Sequence, residues 1–225
     1  MMPTMAMRPR DTEVGLPAGE QWLDGFLAHH PQVPALIVHV ERGGSTLKTS
    51  RGAFINEALE EVGFATLHIG LLSHEDERRA PEIWHQVATL TTRIDAVLEW
   101  IDHQPALKKL PLGLLARDAA SAAMIRIAAR ENTPLRALAS RGGRPDRAGL
   151  EPLKALATPL LLVTGELDEE GPGPNQQAFD HLTCERELAI IKGASHAFEE
   201  LGTLEEATHR IVGWFQRWLT PADFA

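Results

Sequence analysis

The sequence has 225 residues, of which 44% are hydrophobic and 24% charged, and its formal net charge is -9. These values are typical of a globular domain with a full core, and the negative charge disfavours a nucleic-acid partner. The single cysteine, Cys184, agrees with a reducing compartment, and no apolar run reaches the roughly 20 residues of a membrane helix. Because residues 1–10 also lack the apolar stretch of a signal peptide, we expect a soluble, cytoplasmic protein with no membrane partner.

The first predicted element is a β-hairpin. Two strand-like segments, residues 12–15 and 21–27, flank the turn sequence Pro-Ala-Gly-Glu at 17–20. We expect this antiparallel hairpin at the edge of a sheet. A tail over residues 1–10 and a single domain over 11–220 complete the predicted organisation.

Apolar strand-like segments then alternate with helical patterns. Most of these segments are apolar at successive positions, which is typical of strands that are covered on both faces. Apolar residues at helical spacing indicate helices from Phe54 to Val62 and from Ile83 to Ile101, and a capping box of Thr203 and Glu206 predicts the start of the last helix. The predicted strands are residues 35–40, 64–69, 112–115, 135–139, 160–163 and 188–191.

This repeated strand-helix order predicts an α/β fold. Parallel strands must be joined by right-handed crossovers, so helices cover both faces of the sheet and give three layers. No linker or internal repeat divides the chain, and no helical insertion is long enough to form a lid domain. We therefore expect an open site.

Open parallel sheets carry their chemistry at the carboxyl ends of the strands. Asp118 follows the third predicted parallel strand, Asp168 follows the fifth, and His196 follows the last. The order of nucleophile, acid and histidine along the chain is that of α/β-hydrolases.

From about Thr12 to Leu219 the chain resembles the dienelactone hydrolase-like branch of the α/β-hydrolases. The resemblance is carried by residues 140–146 (Ser-Arg-Gly-Gly-Arg-Pro-Asp), 165–168 and 193–200. It implies an eight-stranded sheet without a lid and a Ser-His-Asp esterase site. Two motifs differ: the nucleophile elbow, G-x-S-x-G in the family, contains Asp118 in place of serine, and the family's His-Gly at the oxyanion loop is replaced by Glu41 and Arg42.

Asp118 has two interpretations. A carboxylate that attacked an ester would form a mixed anhydride, whereas displacement at a saturated carbon forms an ester that a histidine-activated water can hydrolyse. Small neighbours, Ala116 and Ala120, allow the sharp elbow to persist, so Asp118 is a candidate nucleophile for carbon-halogen bonds. The sequence has no tyrosine to assist epoxide opening. Alternatively, Asp118 only caps the helix that begins near Ala119.

The residues around the predicted oxyanion loop also have more than one possible role. Arg42 could hold a substrate carboxylate, or Glu41 and Arg42 could fill the emptied pocket. The backbone N–H groups of Gly43 and Ala119 remain candidate oxyanion donors. Trp84 could bind a halide through its indole N–H, although packing is the commoner role of such a residue.

The catalytic candidates are therefore Asp118, Asp168 and His196, with Ser121 as a minor alternative nucleophile. An ion pair between Asp118 and His196 would raise the pKa of the histidine and make it a poorer base. We predict no cofactor and no metal, because histidines such as His74 lack ligand spacing.

Two functions follow from these candidates. The first is a small-molecule hydrolase that works through this constellation, and the second is a catalytically silent scaffold that binds a small molecule or a protein partner. The retained acid and histidine favour the first, whereas the altered elbow and oxyanion loop favour the second.

Overall fold

An eight-stranded sheet runs through the centre of the computed structural model, which describes residues 10–43, 47 and 51–220. The strands lie in the order β1-β2-β4-β3-β5-β6-β7-β8; β1 pairs antiparallel with β2 and β2 with β4, and the other neighbours are parallel. This arrangement confirms the predicted α/β class and the hairpin at the edge. The strands are β1 (Arg10–Ala18), β2 (Gln21–His29), β3 (Leu36–Gly43), β4 (Ala65–Leu72), β5 (Leu112–Arg117), β6 (Leu135–Gly143), β7 (Leu160–Gly165) and β8 (Arg186–Ile191).

Seven α-helices in the described part of the chain connect or follow these strands. None of them has the length and apolarity that a membrane span needs. The predicted tail lies outside the described residues except for Arg10, which begins β1. The helices are α1 (Arg51–Glu61), α2 (His74–Arg79), α3 (Val87–Asp102), α4 (Asp118–Ala128), α5 (Leu150–Ala155), α6 (Pro172–His181) and α7 (Thr203–Leu219).

Two helix boundaries differ from the sequence prediction. The apolar pattern that begins at Ile83 is split, because Pro81–His85 forms a 3₁₀ turn and the extended residue Gln86 separates it from α3. The predicted capping box at the start of α7 is wrong. Gly202, with a left-handed φ of 82°, is the N-cap and has no side chain, while the Thr203 hydroxyl donates backwards to the Glu200 carbonyl.

The core consists of two hydrophobic layers, one on each face of the sheet. Residues of α3 and α4, including Ile94 and Met124, pack on one face, while α1 and α7 contribute Ile55 and Phe215 to the other. Every residue of β4 is buried, as expected for a strand that is covered on both faces. Because they are parallel, β5, β7 and β8 have their carboxyl ends at the same end of the sheet. The candidate residues come directly after these strands.

Candidate active site

Asp118 occupies the sharp turn between β5 and α4. Its φ of 48° is left-handed, a conformation that costs most residues energy but that aspartate tolerates better than most. The flanking Ala116 and Ala120 are fully buried, and the Asp118 carbonyl accepts a hydrogen bond from the Arg144 amide at 3.0 Å. The geometry of a nucleophile elbow is therefore present with a carboxylate at its tip.

His196 lies between two carboxylates. Its Nε2 is 2.9 Å from Asp118 Oδ1, and its Nδ1 is 2.8 Å from Asp168 Oδ2. Asp168 is buried and its second oxygen accepts the Glu170 amide at 3.2 Å, so this acid holds the ring in a fixed orientation. Only an imidazolium can donate to both carboxylates at once.

The second oxygen of Asp118 is also engaged. Oδ2 accepts a hydrogen bond from the Trp84 indole Nε1 at 3.0 Å and lies 3.0 Å from the Arg117 Nε, a distance for an ion pair without hydrogen-bond alignment. No side-chain hydrogen bond caps α4, whose N-cap is Arg117. The interpretation of Asp118 as a helix cap is therefore wrong.

These contacts move the pKa values of Asp118 and His196 in opposite directions. Burial alone would raise the pKa of Asp118, but the hydrogen bond from His196, the Arg117 charge and the Trp84 hydrogen bond lower it. The hydrogen bond with Asp118 is the largest cause that raises the pKa of His196 to about 8, with burial opposing it and Asp168 adding to it. At neutral pH the two side chains form an ion pair.

A pocket of about 490 Å³ opens above these groups. Its wall carries four arginines in a chain whose net charge is -9, together with three carboxylates and His196. Arg144 is bound to Asp146 and Glu170, whereas Arg42 and Arg147 have no ion-pair partner among the described residues. The four arginines outnumber the three carboxylates of the lining, and clefts with an excess of one charge attract ligands of the other sign. The lining residues are Arg42, Trp84, His85, Arg117, Asp118, Ala119, Gly142, Gly143, Arg144, Arg147, Asp168, Glu170 and His196.

The candidates from the oxyanion loop separate in space. Arg42 and Ala119 line the pocket, but Glu41 is buried below it, and the half-buried Gly43 ends β3 beside β4 without lining the pocket. Glu41 therefore does not oppose an anion in the pocket at close range. Ser121 is fully buried and its hydroxyl accepts a hydrogen bond from Ser140, so it cannot serve as an alternative nucleophile.

Several pocket residues were not singled out as site residues by the sequence reasoning. Arg144 and the pair Gly142 and Gly143 come from the end of β6, inside the segment that carries the family resemblance. A glycine is favoured at 142, where φ is 55° and a Cβ would lie 3.2 Å from the His196 carbonyl oxygen. The strand-end rule, applied to β6 as well as to its neighbours, would have found these residues.

A second polar cluster is closed off in the core. His68 Nε2 lies 3.1 Å from Glu41 Oε2, and Arg141 Nη2 lies 3.3 Å from Glu41 Oε1. The His39 ring stacks on the His68 ring with centroids 4.8 Å apart, and its Nδ1 donates to Asn56 Oδ1 at 3.0 Å. Burial lowers the pKa of His39 to about 3. All five side chains are buried.

Comparison with known proteins gives two kinds of relative. No protein-family model matches the sequence. A protein of Mycobacterium tuberculosis named "Putative phosphoribosyl transferase" is 34% identical over 206 residues, which cover 92% of this chain and 46% of that protein. The chain thus spans about half the length of the curated relatives it matches.

Two of the solved structures that match are named as hydrolases. A dienelactone hydrolase from Anabaena variabilis superposes with a TM-score of 0.87 and 30% identity, covering 94% of this chain and 99% of its own. A lid-less α/β serine hydrolase from Xanthomonas campestris has a TM-score of 0.72 at 18% identity, covering 98% of this chain and 100% of its own, and it supports the fold alone.

Proposed function

We propose that the protein is a hydrolase whose nucleophile is the Asp118 carboxylate. The proposal starts from the fact that the chain belongs to the α/β-hydrolase family that includes the Anabaena dienelactone hydrolase. The observation that carries the proposal is the position of Asp118, which is at the tip of a left-handed elbow and 2.9 Å from His196. Because the carboxylate does not cap α4, helix capping does not explain its presence there.

The chemistry of a carboxylate nucleophile suits a saturated carbon. An Asp118 oxygen forms a bond to that carbon while the bond to the leaving group breaks, and the leaving group departs with the electron pair as an anion. Water then attacks the Asp118 carboxyl carbon and gives up one proton to His196. The ester C–O bond at that carbon breaks, the departing alkoxide takes the proton from His196 and leaves as the alcohol, and the second proton of the water goes to solvent as the Asp118 carboxylate is restored. No proton has to be removed in the first step.

The pKa of His196 fits this order of steps. The hydrogen bond with the ionised Asp118 is the largest cause of its raised pKa of about 8. Once Asp118 is an ester, that negative charge is gone and the pKa of His196 falls toward its ordinary value near 6.5. His196 thus becomes a base only when the second step needs one.

The pocket favours a small anionic substrate. Arg42 and Arg147 lie in its wall, and Glu41, which would repel an anion, is held elsewhere by His68 and Arg141. A short halo-acid combines a carboxylate for the arginines with a carbon-halogen bond for Asp118. The Trp84 indole N–H, already directed at Asp118, lies where it can stabilise the departing halide.

Oxygen-18 labelling tests the proposal. We would incubate excess enzyme with short halo-acids and haloalkanes in oxygen-18 water and measure the mass of the peptide that contains Asp118. The expected result is one solvent oxygen in Asp118 after a turnover, and a stalled alkyl adduct in His196→Ala. Asp118→Asn is the matched control and should form neither product.

A catalytically silent scaffold is the second candidate function. It is favoured by the satisfied state of Asp118, whose two oxygens face His196, Trp84 and Arg117. If substrates that demonstrably bind give neither label nor adduct, and esters are not turned over, this candidate replaces the first. We do not propose phosphoribosyl transfer, because the chain spans 46% of the protein with that name and its own fold is that of a hydrolase.

A further inference from the structure

We propose that His39, Glu41 and His68 form a binding site for a divalent transition-metal ion, with Zn²⁺ as the probe, separate from the Asp118 pocket. No metal is predicted from the sequence, because its histidines show no ligand spacing. The sheet nevertheless brings them together. One ligand-type atom from each lies within 4.8 Å of the others, and all three residues are buried.

The register of the sheet explains this convergence. His39 of β3 is the direct partner of His68 of β4, so the two rings lie side by side on one face. Glu41 is two residues beyond His39 and therefore points to the same face. Two imidazoles and one carboxylate are a ligand set that zinc takes in proteins, with a water as fourth ligand.

The hydrogen bonds around the ligands show which of their atoms are engaged. His39 Nδ1 donates to Asn56 Oδ1, which fixes the tautomer with a lone pair on Nε2, the arrangement usual for a metal-bound histidine. Arg141 contacts Glu41 Oε1, whereas Oε2 faces His68. The two rings are 14° from parallel, so coordination requires His68 to turn about its soft terminal torsion.

A separate pocket reaches the cluster at His68, whereas His39 and Glu41 do not line it. It has a volume of about 200 Å³, and its wall includes His68, Asn56 and Thr66 from the core. Glu57, which is exposed, and Glu60 also line it and favour the approach of a cation. The volume exceeds the roughly 30 Å³ share of one water, so a water can lie beside His68 in this pocket.

The positive charge of Arg141 repels the metal ion. Removing Arg141 should therefore strengthen metal binding, whereas removing a ligand should weaken it. The Arg141 guanidinium is buried 3.3 Å from Glu41, so it orients the carboxylate but repels a cation. Arg141→Met should therefore bind Zn²⁺ at least 10-fold more tightly than the wild type. Without metal, the same variant leaves Glu41 as an unpaired buried charge and should be less stable.

The experiment uses the whole protein after dialysis against a chelator. Titration calorimetry should detect one Zn²⁺ per chain, and Co²⁺ should give the visible absorption of a low-coordinate site. His39→Gln, Glu41→Gln and His68→Gln should each weaken binding at least 10-fold. His74→Gln, which changes an exposed histidine, is the matched control and should bind like the wild type.

Two further variants keep the test decisive if the ligand variants fail to fold. Asn56→Ala retains all three ligands and should weaken binding about 10-fold through the lost hydrogen bond to His39. Arg141→Met should regain thermal stability when Zn²⁺ is added. The proposal is overturned if the wild type takes up no Zn²⁺, if Arg141→Met binds no more tightly, or if His196→Ala alone abolishes uptake.

Discussion

The pocket at the carboxyl-terminal end of the sheet and the buried cluster in the core each contain a carboxylate, a histidine and an arginine. The pKa of the histidine nevertheless shifts in opposite directions at the two places. In the pocket, the His196 side chain is 45% exposed and its carboxylate neighbours raise its pKa to about 8. In the core, His39 is fully buried and desolvation lowers its pKa to about 3 despite the nearby Glu41. Where water reaches the ring, desolvation is weak and the neighbouring negative charges raise the histidine pKa. Where the ring is completely buried, desolvation outweighs those charges and lowers it.

The largest expected effect concerns the buried pair. Glu41→Gln leaves the Arg141 charge without its carboxylate, and breaking a buried ion pair in this way costs about 3–5 kcal/mol. Urea denaturation of metal-free protein should show that loss in the free energy of unfolding. Arg42→Gln, one residue along the chain and exposed, should change it by less than about 0.5 kcal/mol. Equal losses in the two variants would contradict the contrast between core and pocket.

The pair in the pocket should show its contribution through pH. The pKa of His196 is raised in the folded state, so its stabilisation is present below pH 6.5 and is lost as the pH rises through about 8. Because the ring is nearly half exposed, we expect about 1 kcal/mol after allowance for solvent screening. The measurement is the free energy of unfolding of wild type and Asp118→Asn between pH 6 and 9. A pH slope in this window that is the same in both proteins would contradict the assignment of the ion pair.

An effect of similar size is expected at Ser121. Ser121→Ala removes the hydrogen bond with Ser140 and should destabilise the protein by about 1 kcal/mol, without changing oxygen-18 incorporation at Asp118. Thermal denaturation and the labelling assay measure the two outcomes. Loss of labelling in this folded variant would return Ser121 to the list of catalytic candidates.

A shift in pKa is the effect expected for Trp84→Phe. The indole N–H donates to Asp118, and a phenyl ring has no such donor. Since that bond helps to lower the pKa of Asp118, the pKa should rise in the variant. Carboxyl titration by NMR measures the shift, and an unchanged Asp118 pKa would mean that the indole contact has no electrostatic role.

Most of the fold and part of the candidate site could be predicted from the sequence. Strand periodicity and the strand-end rule predicted the α/β class and singled out Asp118, Asp168 and His196, which do lie together, because both signals are local. The core cluster was not predicted, since it depends on the register between His39 and His68 and on Arg141 from a distant strand. Likewise, the capping box failed because Gly202 approaches α7 in a left-handed conformation that composition does not reveal.

The left-handed φ at position 118 also limits which residues evolution can place there. Asparagine and glycine enter this conformation readily, whereas a β-branched residue would be strained by about 1–3 kcal/mol before any chemistry is considered. Few substitutions at this turn are therefore low in cost, and threonine is not among them. The backbone of the turn thus restricts which functional groups can occupy the tip of this elbow.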